Sequence, residues 1–264
     1  MRFADLFLTC ALVVFVAVLA APVLLRMARG IDPGARLSPP VRRAVWLGGL
    51  CGSTLLVGQA LLVDQVADAG ATGPDLAALD WSVAHRVGWA VDLGRLLAVL
   101  GGPAAMAVLA AAGVAVLWAR RARAEAVVVA AAALGAVALV NGFKHLYARS
   151  RPPPADQVIH YLNQALPSGH ALGSTVVVGM LAALLVLCTS TSTSTGGRVV
   201  VLAAAFVFVL AVGMSRVYLA AHWLTDVLVG WLLGGAWLTA GVTALVVLRR
   251  PVGTPGPLPS GDHG

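Results

Sequence analysis

Lys144, Arg151 and Arg216 supply three positive charges, His170 and His222 two imidazoles, and Asp226 a carboxylate four residues after His222. They fall in three short segments: Lys144 with Arg151-Pro152, then Pro167-Ser168-Gly169-His170, then Ser215-Arg216 followed by His222 and Asp226. Together these residue types suit phosphoryl transfer. Three fixed cations can hold the equatorial oxygens of a phosphoryl group, one histidine can attack phosphorus, and a second can protonate the leaving oxygen. Such chemistry calls for no metal and no cofactor.

The elements that must position these residues are membrane helices. The 264-residue chain is 59% hydrophobic and 11% charged, outside the range of soluble domains. A spanning helix needs about 20 predominantly apolar residues. Seven runs qualify, near 6–25, 44–63, 96–118, 125–143, 170–188, 198–214 and 227–248. The expected fold is therefore all-α, a polytopic transmembrane bundle. Its expected units are an N-terminal span with a basic loop over 1–43, a membrane domain over 44–250, and a disordered Pro- and Gly-rich tail over 251–264.

Lys and Arg near span ends are retained in the cytoplasm. Eleven arginines, from Arg26 to Arg250, fall on one side of the seven-span layout, whereas Asp64, Asp68, Asp75, Asp80, Asp92 and Asp156 fall on the other. The arginine side is the expected cytoplasmic face, and all three chemical segments then lie outside. The basic balance of +7 reflects this topology and gives no reason to invoke nucleic acid. Cleavage of the first run as a signal peptide would leave Arg26 to Arg43 outside, against the orientation of every later loop. Cys10, Cys51 and Cys188 lie in apolar runs without paired spacing, which argues against disulfides and zinc.

Between Asp64 and Arg95, Leu76, Leu79, Val83 and Val87 recur at helical spacing beside Trp81 and Trp89. This segment is expected to be an external helix, either interfacial or simply shielding the bundle. Thr189 to Thr195 reads as a cytoplasmic turn.

Taken singly, each chemical residue has a plainer use. Lys144 and Arg151 could anchor a span end, His222 and Asp226 could be a helical contact, and Ser168 could cap a helix. Their joint occurrence outweighs these uses, since ionisable groups clustered at a membrane are costly.

The spacing closely resembles that of the type 2 phosphatidic acid phosphatase and vanadium haloperoxidase superfamily. Lys144-x6-Arg151-Pro152, Pro167-Ser168-Gly169-His170 and Ser215-Arg216-x5-His222-x3-Asp226 fill every defining position, in order. The resemblance covers about residues 44–248 and implies a six-helix phosphatase core, with the first span as an addition. It implies His222 as the nucleophile that becomes a phosphohistidine, Asp226 as its orienting carboxylate, and His170 as the general acid. Lys144, Arg151 and Arg216 would bind the phosphoryl oxygens, helped by the Ser168 hydroxyl and the Gly169 N–H. His145 and His160 match no family position, and Arg149, also outside the pattern, is a candidate for a second phosphate.

The implied substrate is a membrane lipid phosphate, with phosphatidic acid, phosphatidylglycerol phosphate and undecaprenyl diphosphate as candidates. Two other readings are weaker. A vanadate-dependent haloperoxidase is expected to be soluble, and a non-catalytic lipid-binding or transport protein is expected to have lost a site residue.

Overall fold

The computed structural model describes residues 39–66, 70–188 and 194–249, and regular structure among them is entirely helical. The run near 6–25, the tail after Pro251, and most of the Thr189–Thr195 turn lie outside the described residues. Eight α-helices follow one another: α1 (Pro39–Val66), α2 (Gly73–Ala84), α3 (Gly88–Leu100), α4 (Pro103–Ala119), α5 (Arg123–Tyr147), α6 (Gly169–Cys188), α7 (Thr195–Tyr218) and α8 (Leu224–Arg249). A 3-10 turn, Pro154–Asp156, sits in the loop after α5.

Five helices, α1 and α5 to α8, are long and apolar enough to cross a membrane, and α3 with α4 makes a sixth span bent by 45°. The sequence suggests one unbroken run over 96–118; instead the chain breaks at Gly101-Gly102 before Pro103. A Cβ on Gly101 would come within 2.4 Å of Val212 on α7, so only glycine lets the break pack there. Pro103 then starts α4 at a position where its missing N–H costs nothing. Likewise α1 begins at Pro39-Pro40, five residues before the apolar run, which carries Arg42 and Arg43 into its first turns.

α8 is the centre of the bundle. It packs most extensively on α1, which runs antiparallel to it, and on α6. Gly230 and Gly234 make the α6 contact possible: a Cβ at Gly230 would lie 2.9 Å from the Ser168 carbonyl, and one at Gly234 3.1 Å from that of Leu172. Small residues four apart let helix backbones approach closely in lipid. The start of α6 is thereby pressed against the start of α8, and the Ser168 N–H donates to the Asp226 carbonyl at 3.0 Å.

Arg42, Arg43, Arg120, Arg121, Arg123, Arg198 and Arg249 collect at the opposite end of the bundle. There Arg249 meets Glu125 at 3.7 Å and donates to the Leu187 carbonyl.

The helix suggested by the spacing of Leu76, Leu79, Val83 and Val87 forms only in part, because α2 ends at Ala84 and Val87 caps α3; Thr72 and Asp75 close a reciprocal cap at the start of α2. Its buried face is Asp75, Leu79 and Ser82, however, and Leu76 and Val83 are turned outward. Leu79 packs with Ala165, Ala220 and Trp223 of the loops above the bundle, so α2 is a cover over the helix ends that carry the chemical residues.

Candidate active site

Lys144 lies in the last turn of α5, whose end is set by Ala148 in the left-handed conformation (φ 47°). Arg151 follows in a loop stiffened by Pro152, Pro153 and Pro154. Lys144 Nζ donates to the Gln164 carbonyl, and Arg151 Nε and Nη2 grip Asn163 at 2.7 and 2.6 Å. Both cations are thus fixed by the loop that leads into α6.

Ser168 caps α6: its Oγ accepts from the Ala171 N–H at 3.4 Å, leaving His170 in the first turn. The Ala98 carbonyl, at the end of α3, faces the His170 ring, and Tyr161 meets that ring edge-on at 6.2 Å.

His222 stands in the short loop between α7 and α8. Its Nδ1 lies 3.4 Å from Asp226 Oδ2, and its Nε2 lies 3.1 Å from Arg151 Nη1. A guanidinium only donates, so Nε2 carries the lone pair and the proton sits on Nδ1, directed at Asp226. Burial, followed by the charges of Arg151, Lys144 and Arg216, pushes the His222 imidazole well below its ordinary 6.5. It is neutral near pH 7. Asp226, in the first turn of α8, also accepts the Trp223 N–H at 2.9 Å, which fixes its rotamer and places its charge at the positive end of the helix.

Lys144, Arg151, Gly169, His170 and His222 share the wall of one cavity of about 570 Å³. Asn141, Tyr161 and Asn163 complete this polar end, and the rest of the wall is apolar, with Met106 and Ala110 of α4, Ala133 and Val137 of α5, and Val177 of α6. It reaches from Lys144 down to Ala130 on α5, about 21 Å at helical rise. On its outer side Leu134 and Val137 are exposed between α4 and α5. The arrangement is a greasy channel ending in cations and imidazoles. Among the described residues, no three His, Cys, Asp or Glu side chains are grouped to hold a metal.

Residues 125–250 match the model of the PAP2 superfamily. The matched region holds Lys144, Arg151, Ser168, His170, Arg216, His222 and Asp226. The fold extends the likeness: a transmembrane PAP2-type phosphatidylglycerolphosphate phosphatase from Bacillus subtilis superposes with a TM-score of 0.63, over 75% of this chain and 94% of that one, at 23% identity. Comparison with curated proteins gives no significant match.

The PAP2 motif residues do not all reach the cavity. Arg216 is fully buried behind it, with Nη2 donating to the Gly94 carbonyl at 2.9 Å and Nη1 3.4 Å from the Tyr161 hydroxyl. Ser168, also fully buried, spends its hydroxyl on the helix cap, whereas Gly169 does line the wall. Tyr161 is the link the motif does not include. Its ring lies under the Arg151 guanidinium at 4.8 Å and its hydroxyl meets Arg216, so it joins both arginines to His170.

The suggested second-phosphate role for Arg149 does not hold. Its side chain is buried away from the cavity, bonded to Asp226 Oδ1 at 2.6 Å, Asp75 Oδ2 at 2.8 Å, and Thr225 Oγ1 at 2.8 Å. Two residues before Arg151, it faces the protein interior. His145 and His160 are exposed and belong to no part of the site.

Proposed function

We propose that this protein is an integral membrane lipid phosphatase that removes phosphate from a phosphomonoester or diphosphate headgroup through a phosphohistidine. The observation that carries this reading is a single cavity, walled by His222, that is cationic at one end and largely apolar along the remainder. A lipid phosphate has that same division. The apolar channel takes the tail, and Lys144 and Arg151 take the phosphoryl oxygens at the headgroup end. Arg216 adds a third charge from behind Tyr161.

In the first step His222 Nε2 forms a bond to phosphorus while the bond to the lipid oxygen breaks, and His170 gives that oxygen a proton. Asp226 holds the Nδ1–H and stabilises the imidazolium that forms. In the second step His170 takes a proton from water, the water oxygen bonds to phosphorus, and the P–N bond breaks to release inorganic phosphate. Negative charge on the phosphoryl oxygens is met by the cations throughout, so the reaction asks for no metal.

The arginine-rich end of the bundle is opposite the site, which by the positive-inside rule supports a site at the extracytoplasmic face of the cell membrane. Undecaprenyl diphosphate, phosphatidic acid and phosphatidylglycerol phosphate all present the required headgroup. The test is phosphate release by the purified protein in detergent with EDTA, on each of the three. Release from at least one, inhibited competitively by vanadate, is expected. Absence of release from all three by folded protein would overturn the reading.

A further inference from the structure

Beneath the reacting imidazole lies a second layer of charge that the motif does not contain. The Arg149 guanidinium bridges two buried carboxylates, Asp226 at 2.6 Å and Asp75 at 2.8 Å, with side chains 4% exposed for the arginine and 0% for each acid. Its Nε and Nη2 close on the Gly70 carbonyl at 3.1 and 2.6 Å, and its plane stands 5.9 Å over the Trp223 ring. Asp75 in turn accepts from the Thr225 N–H and hydroxyl, both at 2.9 Å, and from the Thr72 N–H at 3.0 Å. Burial pushes the Asp75 carboxyl up, but the Thr225 and Thr72 N–H groups and Arg149 outweigh it and hold it below its ordinary value.

The division of Asp226 between its two oxygens follows from this. Oδ1 belongs to Arg149 and Oδ2 to His222 and the Trp223 N–H. A carboxylate buried to this degree needs a cation to stay ionised, and Lys144 and Arg151 are directed at the cavity. Resting on the proposed role of His222, we infer that Arg149 is a positioning residue for catalysis. It holds Asp226 charged and rotated so that Oδ2 meets His222 Nδ1, and Asp75 of the covering helix holds Arg149 in turn. The external helix α2 is thereby wired to the nucleophile without touching substrate.

The test is steady-state kinetics of Arg149→Lys and Asp75→Asn beside His222→Ala, with vanadate inhibition measured for each variant. Arg149→Lys keeps the charge, so the fold survives, but one ammonium cannot span Asp75, Asp226 and Gly70. A fall in kcat of about 100-fold, the cost of misplacing a catalytic group, is expected with KM and the vanadate Ki unchanged. Asp75→Asn should lose less of kcat, also without effect on KM. Arg149→Ala should regain part of its kcat when guanidinium is added, which a merely structural role would not give. Unchanged kcat in folded Arg149→Lys would overturn the inference, as would a parallel rise in KM and Ki, since that marks a phosphate ligand. Wild-type turnover by His222→Ala would instead defeat the nucleophile reading itself, so the two failures are distinct.

Discussion

Arg151 Nη1 lies 3.1 Å from His222 Nε2, so the cation proposed to bind phosphate rests on the lone pair of the proposed nucleophile. Since guanidinium cannot accept, this one contact sets the tautomer that places a proton on Nδ1. In the proposed mechanism Nε2 attacks phosphorus, which requires Arg151 to leave this contact for the phosphoryl oxygens.

His222→Ala is therefore expected to abolish turnover, by at least about 1,000-fold, because the nucleophile is removed outright. The helical fold should persist, as followed by circular dichroism and gel filtration in detergent.

Arg151→Lys tests geometry against charge. Lysine cannot hold both Asn163 and the phosphate, nor lie flat on Tyr161, and kcat/KM should fall by about 100-fold. Tyr161→Phe keeps the ring under Arg151 and removes only the contact to Arg216, so its loss should be smaller. Equal losses in the two variants would show that the hydroxyl contact to Arg216 matters as much as the Arg151 guanidinium.

Ala107 of α4 lines the apolar channel away from the cations. Ala107→Phe should raise KM for a long-chain lipid phosphate and leave turnover of a short, water-soluble phosphomonoester intact. The readout is the ratio of the two kcat/KM values.

The depressed pKa of His222 fixes the sign of a pH effect on stability. The unfolded chain binds a proton near the ordinary 6.5 and the folded one only well below it, so the unfolded state holds more protons in that window. Thermal stability should fall as pH drops below 6.5, and should fall less in His222→Asn. An identical pH slope in both proteins would contradict the buried neutral imidazole.

Much of the site could be read from the chain because its members occur in short local patterns. His222 and Asp226 flank the start of α8, and Lys144 and Arg151 bracket the end of α5. Arg149 and Asp75 could not be read that way. Thr225 is 150 residues from Asp75, and Thr72-x-x-Asp75 looks like an ordinary helix cap, which it also is. Tyr161 sits in a loop with no periodicity to mark it. The spans were legible from hydropathy alone, yet the bend at Gly101-Gly102 was not, because its cause is the close approach of Val212 from a distant helix. The buried face of α2 was not legible for a related reason: Leu76 and Val83 are turned outward, and the polar Asp75 is held inside by Arg149.

The most direct measurement is trapping of the phosphoenzyme. His170→Ala, which retains the nucleophile but lacks the group that protonates the leaving oxygen and activates water, is mixed with phosphate-labelled nitrophenyl phosphate, whose leaving group needs no acid, and quenched in base. Label on His222, absent from the His170→Ala/His222→Ala double variant, is the expected result. Label on another residue, or phosphate release with no labelled protein at any time, would contradict covalent catalysis by His222.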